Sequence, residues 1–147
     1  MPFAYAQEDV SSVPVGVLTW LQYYTDITTF DTDTEPTLAQ ATATIDQVEA
    51  EINGVLKAAG YETVPATGSA SINLLRMYVE TEAAYKIYTQ IYGVNELPPA
   101  VRSWHVDYRE FLARLRRGEQ YLPDQSPKSA TGVGSFKIRV LENEDDE

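Results

Sequence analysis

A single histidine, no cysteine and a surplus of carboxylates set the chemistry open to this chain of 147 residues. Three stretches bring reactive residue types together. Asp31 to Thr42, DTDTEPTLAQAT, imitates the first half of a calcium loop. Pro36 stands where such a loop turns on glycine, and Thr42 stands where it needs a bidentate glutamate. Acidic and hydroxyl residues ahead of a helix have a simpler use, capping its first turn and meeting its positive end. His105, beside Trp104 and Asp107, would serve as a general base if a carboxylate oriented it. Asp107 lies two residues along and points elsewhere around a helix, so the expectation is a structural histidine at or near the surface. Gly132 to Ser135, GVGS, lacks the lysine and following helix of a phosphate loop and reads as a hinge.

Composition narrows the chemistry further. Without cysteine there are no disulfides and no thiolate metal sites, and one histidine supplies a mixed zinc site poorly. No catalytic residue, metal or cofactor is expected, and the chain reads as a non-enzyme. Against 22 acidic residues stand 11 basic ones, a net charge of −11. Such a charge repels phosphates unless the basic residues share one face, so DNA can be a neighbour without being a ligand. No apolar run is long enough for a membrane span, and MPFAYAQEDVSS has neither the basic nor the apolar region of a secretory signal.

The elements that must position these residues are helical. From Pro36 to Ala59, Leu38, Ala41, Ile45, Val48, Ile52, Val55 and Ala59 recur at steps of three and four, one buried stripe on a helix about 36 Å long. Thr34 or Glu35 is the expected N-cap, with Pro36 in the first turn and Gly60 closing the end. A second helix runs from Ser69 or Ser71 to Gly93 with two adjoining stripes. Ile72, Leu75, Val79, Ala83, Ile87 and Ile91 form one, and Leu74, Tyr78, Tyr85, Tyr88 and Tyr92 the other. A helix apolar on adjoining faces is central, packed against several neighbours. The tyrosines suit the rim of the core, and Tyr85, Tyr88 and Tyr92 are candidates for contact with a neighbouring subunit.

Pro98 and Pro99 open a third helix, with Val101, Trp104, Tyr108, Phe111, Leu112 and Leu115 inward and Gly118 at its end. Its last turns carry Arg114, Arg116 and Arg117, which complement the helix dipole or meet an acidic neighbouring subunit. Pro14 and Gly16 interrupt the N-terminal periodicity. A short helix is expected near Ala6 to Ser12, or one from Pro14 to Tyr23, covering the open side of the long-helix hairpin. The short connection YETVPATG keeps the two long helices antiparallel. The expected fold is all-α: a small antiparallel bundle over residues 1–122, then an extended arm over 123–147 carrying one strand and an acidic tip.

The run EPTLAQATATIDQVEAEINGVLKAAGYETVPATG, followed by LLRMYVETEAAYKIY and then LPPAVRSWHVDYREFLARLRRGEQYL, resembles the small helical head-tail connector (adaptor, or head-completion) proteins of tailed bacteriophages and related viruses. The pieces that carry the likeness are Ile45, Asp46, Glu49, Ile52, Leu56, Gly60 and Tyr61, then Ala83, Ala84 and Tyr85, then Leu112, Leu115, Gly118 and Glu119. The likeness covers roughly residues 34 to 122; the N-terminal segment and the long C-terminal tail depart from it. It implies a structural protein of the virion neck, made in the host cytoplasm. As a homo-oligomeric, dodecameric ring it would sit beneath the portal protein, above a stopper or tail-completion protein. Packaged DNA would pass through the lumen without specific binding, and an acidic wall suits that sliding.

In the tail, SFKIRVL alternates: Phe136, Ile138 and Val140 face one way, Lys137 and Arg139 the other. A strand without a partner in its own chain is expected to add to a sheet edge of the portal or of a neighbouring subunit, PDQSPKSATGVG acting as a flexible arm. The alternative reading of the whole is a cytoplasmic scaffold or regulatory bundle that binds other proteins.

Overall fold

In the computed structural model, which describes residues 3–128, four helices follow one another: α1 (Val15–Leu21), α2 (Leu38–Ala58), α3 (Ser69–Tyr92) and α4 (Pro99–Arg116). The three long ones match the three expected periodic segments, and the described residues contain no strand. α3 is central, packed against α1, α2 and α4, as its adjoining apolar faces require. It runs antiparallel to both long neighbours.

α2 begins two residues later than expected. Thr37 makes both halves of a capping box, its hydroxyl accepting from the Gln40 N–H and its own N–H donating to the Gln40 side chain. This reciprocal pair outcompetes Thr34 and Glu35 as the cap and leaves Pro36 ahead of the helix. Thr34 instead closes a turn with Asp31. The Asp31 to Thr42 stretch is therefore a capping segment. At the other end Gly60 takes the left-handed φ of 101° that the expected closure requires.

Of the two N-terminal alternatives the second is the one observed, as α1. Residues 6–12 are not helical, because their backbone donors have other partners. Glu49 of α2 accepts from the N–H groups of Ala4, Tyr5 and Ala6, and Glu80 of α3 accepts from Gln7. The segment is thereby laid across α2 and α3 with the Tyr5 ring fully buried.

The core is continuous through all four helices. Ile45, Val48, Ile52 and Leu56 meet Leu75, Val79, Ala83 and Ile87, while α4 adds Val101, Tyr108, Phe111, Leu112 and Leu115 and α1 adds Val17 and Leu21. Each fully buried Leu, Ile or Phe contributes roughly 1.5–3 kcal/mol. Tyr78 stacks on Phe111 at 4.0 Å between centroids, and Trp104 takes edge contacts from Trp20 and Tyr24.

After α4 the chain turns back along the α2–α3 connection, and its contacts with the bundle run past residue 122 to Lys128. The Leu122 N–H donates to the Tyr61 hydroxyl, and Lys128 N–H donates to the Gly60 carbonyl. Asp124 accepts from the Ser71 N–H at 2.9 Å while its own N–H donates to the Ser71 hydroxyl. Gly68, the N-cap residue of α3, has no side chain to do this, so Asp124 caps α3 from a distant part of the chain. A Cβ on Gly68 would collide with that carboxylate. Asp124→Ala is expected to lower stability by about 1 kcal/mol, the usual worth of a lost N-cap, with helix content retained; thermal and denaturant melts followed by circular dichroism measure it.

Candidate functional site

Four glutamates on α2 and α3 form the principal cluster of ionisable groups inside the bundle. Glu49 lies within the apolar stripe of α2, next to Val48, and Glu80 and Glu82 lie between the two apolar stripes of α3; all three are buried. Glu51, one step around α2, is half-buried. Carboxylates in such positions stay only if donors are aimed at them.

Each has found its donors. Glu49 is held by the backbone N–H groups of residues 4–6, at 2.8–3.0 Å. Glu80 receives the Gln7 N–H at 2.8 Å. α1 comes so close to it that a Cβ on Gly16 would fall on its carboxylate. Burial pushes the Glu80 carboxyl above its usual range, opposed by the Gln7 N–H, the Trp20 side chain and the Arg76 charge. Burial also raises Glu82, opposed chiefly by His105 and then by Lys86. Nδ1 of His105 lies 3.0 and 3.1 Å from the two Glu82 oxygens, and Tyr85 stacks flat on the imidazole at 4.4 Å. The Tyr108 hydroxyl donates to Glu51 at 2.8 Å, with Arg109 at 3.7 Å from the same carboxylate. Burial first, then the Glu51 bond, holds the Tyr108 phenol far above its ordinary range, so it remains a proton donor.

The orienting carboxylate of His105 is thus Glu82 of the adjacent helix, and Asp107, two residues on, is exposed. A histidine held by a buried carboxylate is half of a base-catalysis unit. Its other neighbours are already engaged, Tyr85 by stacking and Tyr108 by Glu51. Two surface grooves lie elsewhere, one of about 530 Å³ lined by Glu35, Gln40, Thr44, Gln47 and Gln90, the other of about 270 Å³ lined by Asp26, Ile27, Ile91 and Tyr92. The arrangement ties α3 to α4 and to the N-terminal segment. Among the described residues no group of His and carboxylates has the placement of a metal site, and no helix is long and apolar enough to cross a membrane.

The residues expected to contact a neighbouring subunit are spread along the bundle. Tyr85 is half-buried on His105, Tyr88 is buried with its ring 4.7 Å from that of Tyr92, and Tyr92 is 55% exposed at the end of α3. Arg114, Arg116 and Arg117 lie at the opposite end of the bundle. Arg114 pairs with Glu110 at 3.7 Å and Arg117 with Glu119 at 2.9 Å, while Arg116 is exposed. Phe136, Lys137, Ile138, Arg139 and Val140 lie outside the described residues.

Sequence reasoning missed the buried glutamates, although a signal was there. Glu49 follows Ile45 by four and precedes Ile52 by three, which puts it on the stripe itself. Comparison with protein-family models, with curated proteins and with solved structures finds no match to this chain.

Two expected outcomes test these contacts. His105→Ala leaves Glu82 buried without its main partner and is expected to cost about 1–3 kcal/mol, part of it recovered in the Glu82→Gln, His105→Ala double variant. Denaturant melts of the four proteins in the cycle measure this coupling. The second outcome concerns pH. A carboxyl whose folded pKa is raised contributes its stability in acid, below the ordinary value of 4.5, and loses it as pH climbs through the folded pKa. Glu80→Gln keeps an accepting oxygen and cannot ionise. Its stability relative to the parent is therefore expected to rise as pH is raised from 4.5 toward neutrality, in melts across that range.

Proposed function

We propose that the protein is a structural connector of the head-tail type, an adaptor that assembles as a ring beneath a portal and carries the DNA channel toward the tail. The observation that carries this reading is that one particular piece of the family likeness, the Gly60-Tyr61 ending of α2, holds the chain that follows another, Gly118-Glu119. Gly60-Tyr61 ends α2 and Gly118-Glu119 follows α4, both glycines with positive φ. The Tyr61 hydroxyl takes the Leu122 N–H at 3.0 Å, and the Gly60 carbonyl takes the Lys128 N–H at 2.8 Å. The Gly60-Tyr61 ending of α2 thus anchors the chain that follows Gly118-Glu119, and Lys128 is held on the bundle.

An anchored departure point favours a docking role for the C-terminal arm. The strand pattern of Phe136, Lys137, Ile138, Arg139 and Val140 needs a sheet edge, and the described part of a neighbouring copy offers none. The recipient would be a sheet edge of the portal or of a neighbouring subunit, with backbone hydrogen bonds supplying affinity and alternate side chains selection. The internal ionisable groups support the same reading from another side, since each holds helices or backbone together. The net charge of −11 suits a conduit that does not grip DNA.

Removal of Thr131 to Glu147 takes away no residue of the helical stripes and is expected to leave the melting temperature nearly unchanged while abolishing co-sedimentation with purified portal. Ile138→Pro, which deletes one backbone donor and fixes φ, is expected to weaken portal binding with charge unaltered. Failure of the parent chain to bind portal at any salt concentration would refute the connector reading. Duplex DNA should bind weakly at moderate salt; tight binding with a steep salt slope, read by fluorescence anisotropy, would contradict the sliding channel.

A further inference from the structure

The helix order sorts charge along the bundle axis. The α1–α2 loop and the α3–α4 turn share one end, where the loop residues Asp26 and Glu35 line a groove with Ile91 and Tyr92. Residues 22–40 and 90–101 contain Asp26, Asp31, Asp33, Glu35 and Glu96 and no lysine or arginine, against one cation, Arg102, in the first turn of α4. All five of these acids are exposed. The same end shows large apolar and aromatic surface: Tyr23, Tyr24, Tyr92 and Val94 are all exposed, Tyr23 by 74% and Val94 by 62%.

The opposite end is the complement. α4 finishes there with Arg114, Arg116 and Arg117, and α2 finishes with Lys57. Among the described residues its acids Asp124, Glu119 and Glu62 are engaged: Asp124 caps α3, Glu119 pairs with Arg117, and Glu62 pairs with Lys128. Arg116 has no ion-pair partner among the described residues, and Tyr121 beside this surface is 55% exposed.

We propose that copies of this protein dock end to end, the acidic, tyrosine-bearing end of one bundle receiving the arginine-bearing end of the next. Arginine over exposed tyrosine rings, flanked by carboxylates, is a favourable pairing for both partners. Opposite ends of one chain meeting in this way form a heterologous contact, which closes into a ring when the rotation permits and otherwise continues as a filament. The proposal deepens the connector reading and rests on it for the ring. The contact itself is a property of the free chain, so it is tested without portal. Repulsion between chains of net charge −11 keeps it weak in dilute solution, and trapping is the suitable measurement.

The chain has no cysteine, so a single introduced thiol reports one position. Full-length Val94→Cys is mixed with full-length Tyr121→Cys and oxidised mildly; Val94→Cys mixed with Ala50→Cys, on the exposed middle of α2, is the reference. The end-to-end pair should form mixed disulfide roughly tenfold faster than the reference, and the advantage should fall at about 0.5 M salt, where surface charges are screened. Adding Arg116→Glu and Arg117→Glu to the Tyr121→Cys partner should remove the advantage. Placing Asp33→Lys and Glu35→Lys in the Val94→Cys partner as well should restore it. Equal trapping in the two mixtures, or an advantage untouched by charge reversal, overturns the proposal. Loss of portal binding bears on the connector reading alone, and loss of trapping on this contact alone. All substituted positions are exposed, and circular dichroism of each variant confirms that the bundle is intact.

Discussion

Glu49 holds the N-terminal segment on the bundle, and much of the rest depends on that. Its two oxygens take three successive backbone N–H groups, a dense set of donors for one buried carboxylate. Those bonds keep residues 4–6 out of a helix and drive Tyr5 into the core, where its hydroxyl reaches Asn53 at 2.6 Å and receives the Ala66 N–H. Arg76 of α3 binds the Tyr5 carbonyl, and Glu80 takes the next N–H along. α1 then begins where Gly16 can approach the Glu80 carboxylate. One buried carboxyl group organises the cover of the hairpin, because a polar group in a low-dielectric interior is tolerable only when its surroundings are arranged for it.

Tyrosine does comparable work throughout. Tyr5, Tyr61 and Tyr108 each bury an aromatic ring and extend the hydroxyl to a group distant in sequence: Asn53 and Ala66, Leu122, and Glu51. The apolar body supplies packing, and the polar tip satisfies a group that would otherwise be buried without a partner. In a chain without disulfides such links fasten segments that have no regular structure. They explain how Tyr5 and Leu122, in segments outside the four α-helices, belong to the same core as the helices.

The ionisable groups fall into two populations. Glu49, Glu80, Glu82 and Glu51, inside the bundle, hold elements together through the donors aimed at them. Outside, Asp26, Asp31, Asp33, Glu35 and Glu96 lie toward the α3–α4 turn and Arg114, Arg116 and Arg117 toward the end of α4, by nothing more than an up-down-up helix order. The sorting requires no special device, since segments adjacent in space at one end of an antiparallel bundle come from alternate connections of the chain.

The three long helices were legible in the sequence because burial of one stripe imposes a period that the order of apolar residues reveals: Ile45, Val48 and Ile52 on α2, Leu75 and Val79 on α3, Phe111 and Leu115 on α4. Helix ends marked by glycine were legible for the same kind of local reason, a φ that only glycine adopts without strain. Cap choice was less so, since Thr34, Glu35 and Thr37 all have the chemistry and the capping box with Gln40 decides among them. The partners of long-range polar groups were not legible at all. That Glu82 and not Asp107 faces His105, that Asp124 caps α3, and that Glu49 takes the backbone of residues 4–6 follow from which helix lies beside which. Local periodicity says which side of a helix is buried; only the packed arrangement says what that side meets, because the satisfaction of a buried polar group is set in three dimensions by neighbours that lie far apart along the chain.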